Sequence, residues 1–344
     1  MPEMPLWVGV TVATALLFAF MNGFHDTANA IATSVLTRAL SIRQAIVFAS
    51  GLNFLGALLS IKVATTIGKG IVDPSNTTNT VVLSALIGGI AWLFITWYFG
   101  LPTSCSHALV GGVVGAVLAD HTTLHTATGT LGWTLNYGVL QVAGIEKILL
   151  ALLLSPIFGV VFAVILMIAL LHVFGRSAPS LLNRHFRRLQ VMSAGFMAFS
   201  HGSNDAQQVM GVITLTLVSS GILGTFAVPL WVKVISAAAM ALGTAVGGWR
   251  IIKTVGRKVM ELKPIHGFAA ETAAASVIQL ATHFGAPVST THVISTAIMG
   301  VGMSHRLTAV RWGVVGQIVG AWILTMPMAM LFAALTYWLI HGWL

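Results

Sequence analysis

The sequence predicts an all-helical integral membrane protein, in which about ten hydrophobic segments form two inverted-topology repeats. The first observation is composition: of 344 residues, 57% are hydrophobic and 7% are charged, and mean hydropathy is +0.93. The second is the presence of charge-free stretches longer than the roughly 20 residues that a spanning helix needs. The third is an acidic motif that occurs once in each half of the chain. Together they place the chain in a bilayer, without a separate soluble domain.

Ten hydrophobic stretches follow one another along the chain, and we predict that each is helical. They cover residues 5–31, 44–67, 80–99, 103–119, 148–174, 190–219, 230–252, 265–284, 287–303 and 311–341. The fourth and ninth are short and open at proline, so these two could re-enter the membrane instead of spanning it. The longest polar connection, from Asp120 to Lys147, is predicted to be an extramembrane loop.

The stretch Asn22–Asn29, with the sequence NGFHDTAN, places an aspartate inside the first segment. Asp26 is the only formally charged residue from Met4 to Thr37. A carboxylate near the bilayer centre costs roughly 2.5–3.5 kcal/mol, so an acid at this position indicates a function. The stretch His201–Gln208, HGSNDAQQ, carries Asp205 at the matching position. Two buried acids at matched positions predict one shared site.

The repeat extends beyond the acids. The sequence GLPTSCSHALVGG, which starts at Gly100, matches GAPVSTTHVISTA, which starts at Gly285. Segments one to four thus match segments six to nine, and an offset of five crossings inserts the second copy with the opposite orientation. We therefore divide the chain into a first repeat (1–119), a periplasmic loop, connecting helix and cytoplasmic loop (120–189), a second repeat (190–303) and a C-terminal helix (304–344).

The basic residues support this topology, because short cytoplasmic loops are rich in Lys and Arg. With the N-terminus outside, predicted inner loops hold 13 of the 17 basic residues. These are Arg38, Arg43, Arg176, Arg184, Arg187, Arg188, Arg250, Lys253, Arg257, Lys258, Lys263, Arg306 and Arg311. The excess of basic over acidic residues is therefore explained by topology and not by nucleic-acid binding. We expect a multi-pass protein of a bacterial inner membrane.

A second motif opens the fourth and ninth segments. The stretches Pro102–His107 and Pro287–His292 each combine a proline with hydroxyl residues, as at the first turn of a helix. Hydroxyl groups beside free backbone N–H groups form a neutral anion site, which the helix dipole favours. Helix capping explains one copy alone, whereas two copies favour a shared anion site. The predicted phosphate-binding residues are Ser104, Cys105, Ser106, Ser289, Thr290 and Thr291.

An anion site beside two acids indicates symport, in which the acids carry a cation or protons that travel with the anion. The predicted coupling residues are Asp26, Asn29, Asp205 and Gln208. Their oxygens suit a small cation, so sodium is possible at Asp26, Asn29 and Asp205, and the acids could instead bind protons. Glu271, His107 and His292 are candidate proton relays. The motif histidines have no closed ligand set for zinc, so we expect neither a resident metal nor another cofactor.

The motifs HDTAN, NDAQQ, PTSCSH and PVSTTH resemble those of the inorganic phosphate transporter (Pit) family of secondary symporters, over nearly the whole chain. The form HGSNDAQ is similar to the bacterial branch, whereas many relatives carry G-A-N-D-x-x-N in both halves. The resemblance implies that Asp26, Asn29 and Asp205 bind the coupling cation and that the hydroxyl motifs contact phosphate. It also implies proton coupling and transport of phosphate with a divalent metal. Gln208 replaces the family's asparagine, which leads us to favour the proton.

We therefore expect a symporter that imports inorganic phosphate by alternating access, and no enzymatic activity. A sulfate permease of the same family is the first alternative, because sulfate is also a tetrahedral oxyanion. An anion channel is a second alternative, although it would need no coupling acids. The resemblance further implies a homodimer in the lipid bilayer, and no nucleic-acid partner is expected.

Overall fold

A computed structural model describes residues 5–74, 77–127, 130–135, 140–247, 251–252, 254 and 259–342, with the backbone alone for 123–135. These residues form eleven α-helices, one β-hairpin and a short 3₁₀ helix at Leu307–Ala309. The helices are α1 (Leu6–Leu36), α2 (Ile42–Leu58), α3 (Lys62–Gly70), α4 (Asn79–Phe99), α5 (Cys105–Asp120), α6 (Val142–Phe174), α7 (Pro179–Ser219), α8 (Leu230–Val246), α9 (Pro264–His283), α10 (Thr290–His305) and α11 (Trp312–Ile340). Four of the predicted inner-loop cations, Arg250, Lys253, Arg257 and Lys258, lie outside the described residues.

Each predicted hydrophobic segment overlaps a helix, and the second is divided into α2 and α3, which meet at a bend of 68°. Among the described helices, α1, α4, α6 and α11 are long and apolar enough to cross a membrane, and the bent pair would be a fifth span. The count of about ten segments in the membrane therefore stays a prediction. Among the described residues, the polar connection contains the one departure from the helical fold, an antiparallel hairpin of β1 (Thr122–Ala127) and β2 (Thr130–Leu135).

The arginine-rich stretch before residue 190, predicted as a cytoplasmic loop, is helical. Helix α7 begins at Pro179, and proline suits a first helical turn because its missing N–H would have no partner there. The Phe186 ring is buried edge-on against the rings of Phe174 and Phe268, with centroids 5.4 and 5.5 Å apart. Arginines at 184, 187 and 188 stay outside the core and are all exposed. An amphipathic pattern thus extends the helix beyond its apolar part.

Helices from the two halves of the chain pack against one another. Helix α1 packs against α8, and α2 packs against α7. Helix α5 packs against α11, and α10 packs against α6. Matched glycines permit two of these contacts. A Cβ atom at Gly23 would lie 2.0 Å from the carbonyl oxygen of Met240, and one at Gly202 would lie 2.1 Å from that of Asn53. Small residues allow such close helix approach. The contacts hold α1 and α7 in the positions on which the central acids depend.

The apolar core forms two clusters. One combines the first half of α1 with α4, α5 and the last turns of α7, and the other combines the second half of α1 with α9 and α10. The polar residues around 22–29 and 200–208 lie where α1 and α7 pass from one cluster to the other. A polar site is thus enclosed between two apolar regions.

Candidate functional site

The two acids of the repeated motif lie together in the protein interior. Asp26 on α1 and Asp205 on α7 are each 1% exposed. One carboxylate oxygen of each acid and a ring nitrogen of His201 all lie within 4.8 Å of one another. The packing of α1 against α7 therefore brings together the acids that the sequence assigned to one site.

The N-termini of α5 and α10 meet beside these acids. The Ser106 hydroxyl donates to the carbonyl oxygen of Val288 at 3.1 Å, and the rings of His107 and His292 have centroids 4.7 Å apart. Both helices begin with a serine cap, since Ser104 accepts from the N–H three residues later at 3.1 Å, and the equivalent bond of the second copy is 3.2 Å long. Two helix dipoles thus direct their positive ends at one place.

The first two residues of α10 contact both acids. Thr290 Oγ1 donates to Asp205 Oδ2 at 3.0 Å, and Thr291 Oγ1 donates to Asp26 Oδ1 at 3.1 Å. Thr291 also accepts a hydrogen bond of 2.9 Å from Asn29 Nδ2. The residues predicted to bind phosphate and those predicted to bind the coupling ion therefore form one hydrogen-bonded unit.

The start of α5 makes different contacts. Ser106 Oγ accepts a hydrogen bond of 2.7 Å from Gln208 Nε2. The Cys105 thiol is buried, and its sulfur lies within 4.8 Å of ligand atoms of Asp26 and His25. Ser106 of the first-half motif thus contacts Gln208 of the second half. Cys105 of the same motif lies beside Asp26 of the first half.

Two histidines of the repeated acidic motifs, His25 and His201, flank the acids. His25 Nδ1 lies 3.0 Å from Asp26 Oδ1, and its Nε2 lies 3.3 Å from Thr96 Oγ1. His201 Nε2 lies 3.4 Å from Asp205 Oδ2, an ion-pair distance without hydrogen-bond geometry. The signal was present in the sequence, because His25 adjoins Asp26 and His201 precedes Asp205 by one helical turn. Both imidazoles belong to the candidate site.

Asn204 also belongs to the site, although the sequence motifs did not single it out. Its Nδ2 donates to Thr282 Oγ1 at 2.9 Å, and its Oδ1 accepts from the N–H of Val288 at 3.3 Å. These bonds connect α7 to the turn between α9 and α10. Asn204 therefore positions the start of α10 relative to the acid that follows it in the sequence.

Glu271 is fully buried but occupies its own position. Its carboxylate accepts hydrogen bonds from the hydroxyl groups of Thr33 and Ser193 and from Gln190 Nε2 at 3.4 Å. Thr33 follows Asp26 by seven residues, which is about 10 Å along α1. The structure therefore separates this candidate relay from the central acids.

The other two candidate relays lie at the helix starts. His107 Nδ1 lies 2.7 Å from Ser104 Oγ. The His292 ring stacks on Trp322 at a centroid distance of 3.9 Å, and its Nε2 lacks a hydrogen-bond partner among the described residues. Both imidazoles thus face the helix ends and not Glu271.

Several buried polar atoms of the site have no hydrogen-bond partner among the described residues. They include Asn29 Oδ1, Asp205 Oδ1 and Gln208 Oε1. Both amide atoms of Asn22, one turn before Asp26, share this property. A buried polar atom without a hydrogen-bond partner costs about 1–3 kcal/mol of stability. These atoms are therefore candidates to bind a water molecule, an ion or a substrate. Oxygen atoms of this kind are the ligands that a small hard cation takes.

Comparisons with known proteins extend over nearly the whole chain. The phosphate transporter family matches residues 22–333. A probable low-affinity inorganic phosphate transporter of Rhizobium meliloti strain 1021 is 47% identical over 335 residues, covering 97% of this chain and 96% of that protein. A protein of the same name from Bacillus subtilis strain 168 is 45% identical over 334 residues, 96% of each chain. A solved structure described as the sodium-dependent phosphate transporter has a TM-score of 0.86 at 25% identity, covering 98% of this chain and 100% of that one.

Proposed function

This chain belongs to the phosphate transporter family, and from that membership we propose that it is a secondary active symporter that moves inorganic phosphate by alternating access. Its relatives are transporters and not enzymes. The observation that carries the proposal is the hydrogen-bonded unit at the start of α10, where two adjacent threonines each donate to one of the central acids. An anion bound at this helix end would touch the same hydroxyl groups that hold the acids.

Charge balance explains why the two ligands would bind together. The helix starts offer N–H groups, hydroxyl groups and two dipoles, which suit an oxyanion but supply no full positive charge. Phosphate next to Asp26 and Asp205 would leave several negative charges in a buried place, which is costly unless they are compensated. A cation or protons on the acids would supply that compensation, so phosphate and coupling ion would favour each other's binding.

We propose the proton as the coupling ion. Two imidazoles beside the acids, His25 and His201, support this choice, because an imidazole nitrogen can accept and pass on a proton. Gln208 stands in place of the family's asparagine; its Nε2 donates to Ser106 Oγ, and its Oε1 has no hydrogen-bond partner among the described residues. Sodium is the alternative: the solved structure with 25% identity is named sodium-dependent, and the unpartnered oxygens of Asn29 and Asp205 suit a hard cation.

The ligand types also support transport of phosphate as a metal complex. Two groups of three residues could each hold a metal ion, with ligand atoms within 4.8 Å of one another: His25, Asp26 and Cys105, and Asp26, His201 and Asp205. Imidazole, thiolate and carboxylate together suit divalent transition metals. The metal would then be cargo that enters with phosphate.

Glu271 is proposed as a proton relay between the central site and one end of α1. Thr33 donates to its carboxylate, and Gln190, which also donates to it, accepts from Thr37 Oγ1 at 2.7 Å. Asp26, Thr33 and Thr37 follow one face of α1, because they are spaced by seven and four residues. Polar side chains thus lie along this face from Asp26 toward the end of the helix, with about 10 Å of helix between Asp26 and Thr33.

For the topology we propose two inverted repeats, 1–119 and 190–303, in which α4–α5 and α9–α10 are re-entrant hairpins. The meeting of the α5 and α10 N-termini beside the acids supports this arrangement. The opposite ends of α5 and α10 lead to the polar connection and to the basic residues from Arg306. The proposed orientation places the N-terminus outside a bacterial inner membrane, in a homodimer.

Uptake into proteoliposomes tests the proposed function. Phosphate and sulfate would compete as substrates under separately imposed proton and sodium gradients, with and without a divalent metal. We expect phosphate to accumulate above equilibrium when the pH gradient is imposed, with weak competition by sulfate. Uptake that stops at equilibrium would indicate a channel, and accumulation that needs sodium and ignores pH would reassign the coupling ion.

Single cysteines test the orientation. Arg187 is exposed on α7, and a side chain at Gly224, in the loop before α8, would meet no atom within 4 Å. In intact cells an impermeant thiol reagent should label Gly224→Cys and spare Arg187→Cys. The reverse pattern would invert the topology.

A further inference from the structure

An open cavity of about 860 Å³ lies at the end of α1, in the range of roughly 300–1,000 Å³ that small-molecule sites occupy. The turn between α1 and α2 forms one wall, the stretch 260–262 before α9 forms another, and Arg311 at the start of α11 completes it. Among the described residues that line it, Arg38 and Arg311 are cationic and Glu261 is acidic. The described lining therefore carries a net positive charge.

Arg38 occupies a backbone position that glycine normally takes. It follows the last turn of α1 with φ of +58°, and the N–H groups of Arg38 and Ala39 close the helix onto the carbonyl oxygens of Val35 and Ser34 at 3.2 and 2.9 Å. Every other positive-φ position among the described residues is a glycine. An arginine here is disfavoured by its backbone angle, which makes its guanidinium a candidate for a function.

The cavity lies at the end of the polar face of α1. Asp26 is ten residues before the end of the helix, about 15 Å along its axis, and Thr33 and Thr37 continue the same face. At the other end of α1, a cavity of about 520 Å³ is lined by hydroxyl residues such as Thr11, and its described lining carries no charge. The two cavities at the ends of α1 thus differ in the charge of their described lining.

We infer that the cavity of Arg38 and Arg311 is a second binding position for a phosphate group, at the end of the molecule where the predicted inner loops lie. The planar guanidinium matches two oxygens of a phosphate group at once, which a neutral hydroxyl lining does not. The role of this position in transport depends on the proposed function. A free phosphate ion and the headgroup of an anionic lipid share the chemistry it recognises.

Cysteine protection tests the binding itself. Ile42 lines the cavity, so the full-length Ile42→Cys protein in neutral phosphatidylcholine nanodiscs would be treated with a thiol reagent with and without inorganic phosphate. The native Cys105 is buried, and wild-type protein treated in parallel gives its background. We expect phosphate to slow modification several-fold and Arg38→Gly to abolish the slowing. Arg43→Gln is the matched control, because Arg43 is exposed nearby but lines a separate groove with Val47.

Thermal stability and uptake kinetics show whether a loss of protection reflects lost phosphate binding or misfolding. Arg38→Gly should melt at or above the wild-type temperature, since glycine accepts the backbone angle, so lost protection would not reflect misfolding. In proteoliposomes it should raise the half-saturating phosphate concentration on the inner face about three- to tenfold and leave the half-saturating concentration on the outer face unchanged.

Protection by phosphatidylglycerol nanodiscs alone would support the phosphate-group site with a lipid as its source. Protection by neither probe, or equal behaviour of Arg38→Gly and Arg43→Gln, would overturn the inference. Protection without wild-type uptake would refute only the proposed transport.

Discussion

The helices α5 and α10 begin with matching motifs but make different contacts. Each starts at a serine cap, and their N-termini meet. In α10, Thr290 and Thr291 donate to the two central acids, whereas in α5, Ser106 bonds to Gln208 and to the carbonyl oxygen of Val288. Duplication therefore preserved the local structure of the helix start, while the side-chain contacts diverged. We expect the second copy to contribute more to coupling than the first.

The two acids differ in this respect from the two helix starts. They have similar side-chain neighbours, although the neighbouring histidines stand at different distances along the sequence. Asp26 is accompanied by the histidine directly before it, and Asp205 by the histidine one helical turn before it. Each acid thus has an imidazole on its own helix and a threonine from α10. The two carboxylates should be about equally important.

The largest expected effect is that of Asp26→Asn or Asp205→Asn. Asparagine removes the ionisable carboxylate that would hold the coupling cation or proton, so uptake should fall by a hundredfold or more in either variant, which corresponds to about 3 kcal/mol or more of lost ligand binding. The fold, relieved of a buried charge, should keep its melting temperature. Asp120→Asn is the control, because this carboxylate accepts the Tyr337 hydroxyl at the far end of α5. Wild-type uptake in both variants would refute the paired-acid mechanism, and a loss in only one would break the equivalence of the acids.

The second-largest loss of uptake is expected from removing the hydroxyl groups at the start of α10, and a smaller loss from removing the one at the start of α5. Thr290→Val and Thr291→Val each remove a hydrogen bond to a carboxylate, worth about 1.5–3 kcal/mol, so uptake at low phosphate should fall about ten- to a hundredfold. Ser106→Ala removes two hydrogen bonds between neutral groups, each worth about 0.5–1.5 kcal/mol, and neither of them reaches a central acid, so the loss of uptake should be smaller. Initial rates in proteoliposomes give the comparison. Equal losses would mean that the two helix starts are equivalent in function.

Gln208→Asn should have a moderate effect that depends on the coupling ion. The shorter side chain restores the family's usual residue and weakens the contact with Ser106. Proton coupling predicts a small change in rate and no new sodium dependence. Uptake measured with and without sodium at constant pH decides the matter, and sharpened sodium dependence would favour a sodium site.

The smallest effects are expected for Ser104→Ala and Ser289→Ala. Each hydroxyl oxygen caps its helix, and a lost cap costs about 0.5–2 kcal/mol, so both variants should melt at a slightly lower temperature. If the same hydroxyl groups also donate to phosphate, the half-saturating concentration should rise several-fold. Threonine at either position would keep the hydroxyl and should restore both properties. Unchanged uptake kinetics in both alanine variants would move the anion site away from the caps.

Local features of the sequence were sufficient for much of the fold and for the residues of the site. Hydrophobic runs located the helices, because apolar length and the absence of charge depend only on neighbouring residues. Asp26 and Asp205 were identified because a lone acid in an apolar run is costly, and the serine caps because proline and hydroxyl residues mark a helix start. The extent of α7 was missed, since charged residues on one helix face looked like a loop.

Tertiary structure alone decided which residues meet. Thr291 lies 265 residues from the acid to which it donates, and no local pattern specifies that contact or the separate position of Glu271. Such contacts depend on how close α1 and α7 approach their neighbours, which the matched glycines and the surrounding packing determine together. The sequence by itself thus determined the type and spacing of the polar groups, and the packing of distant helices decided how those groups combine into a site.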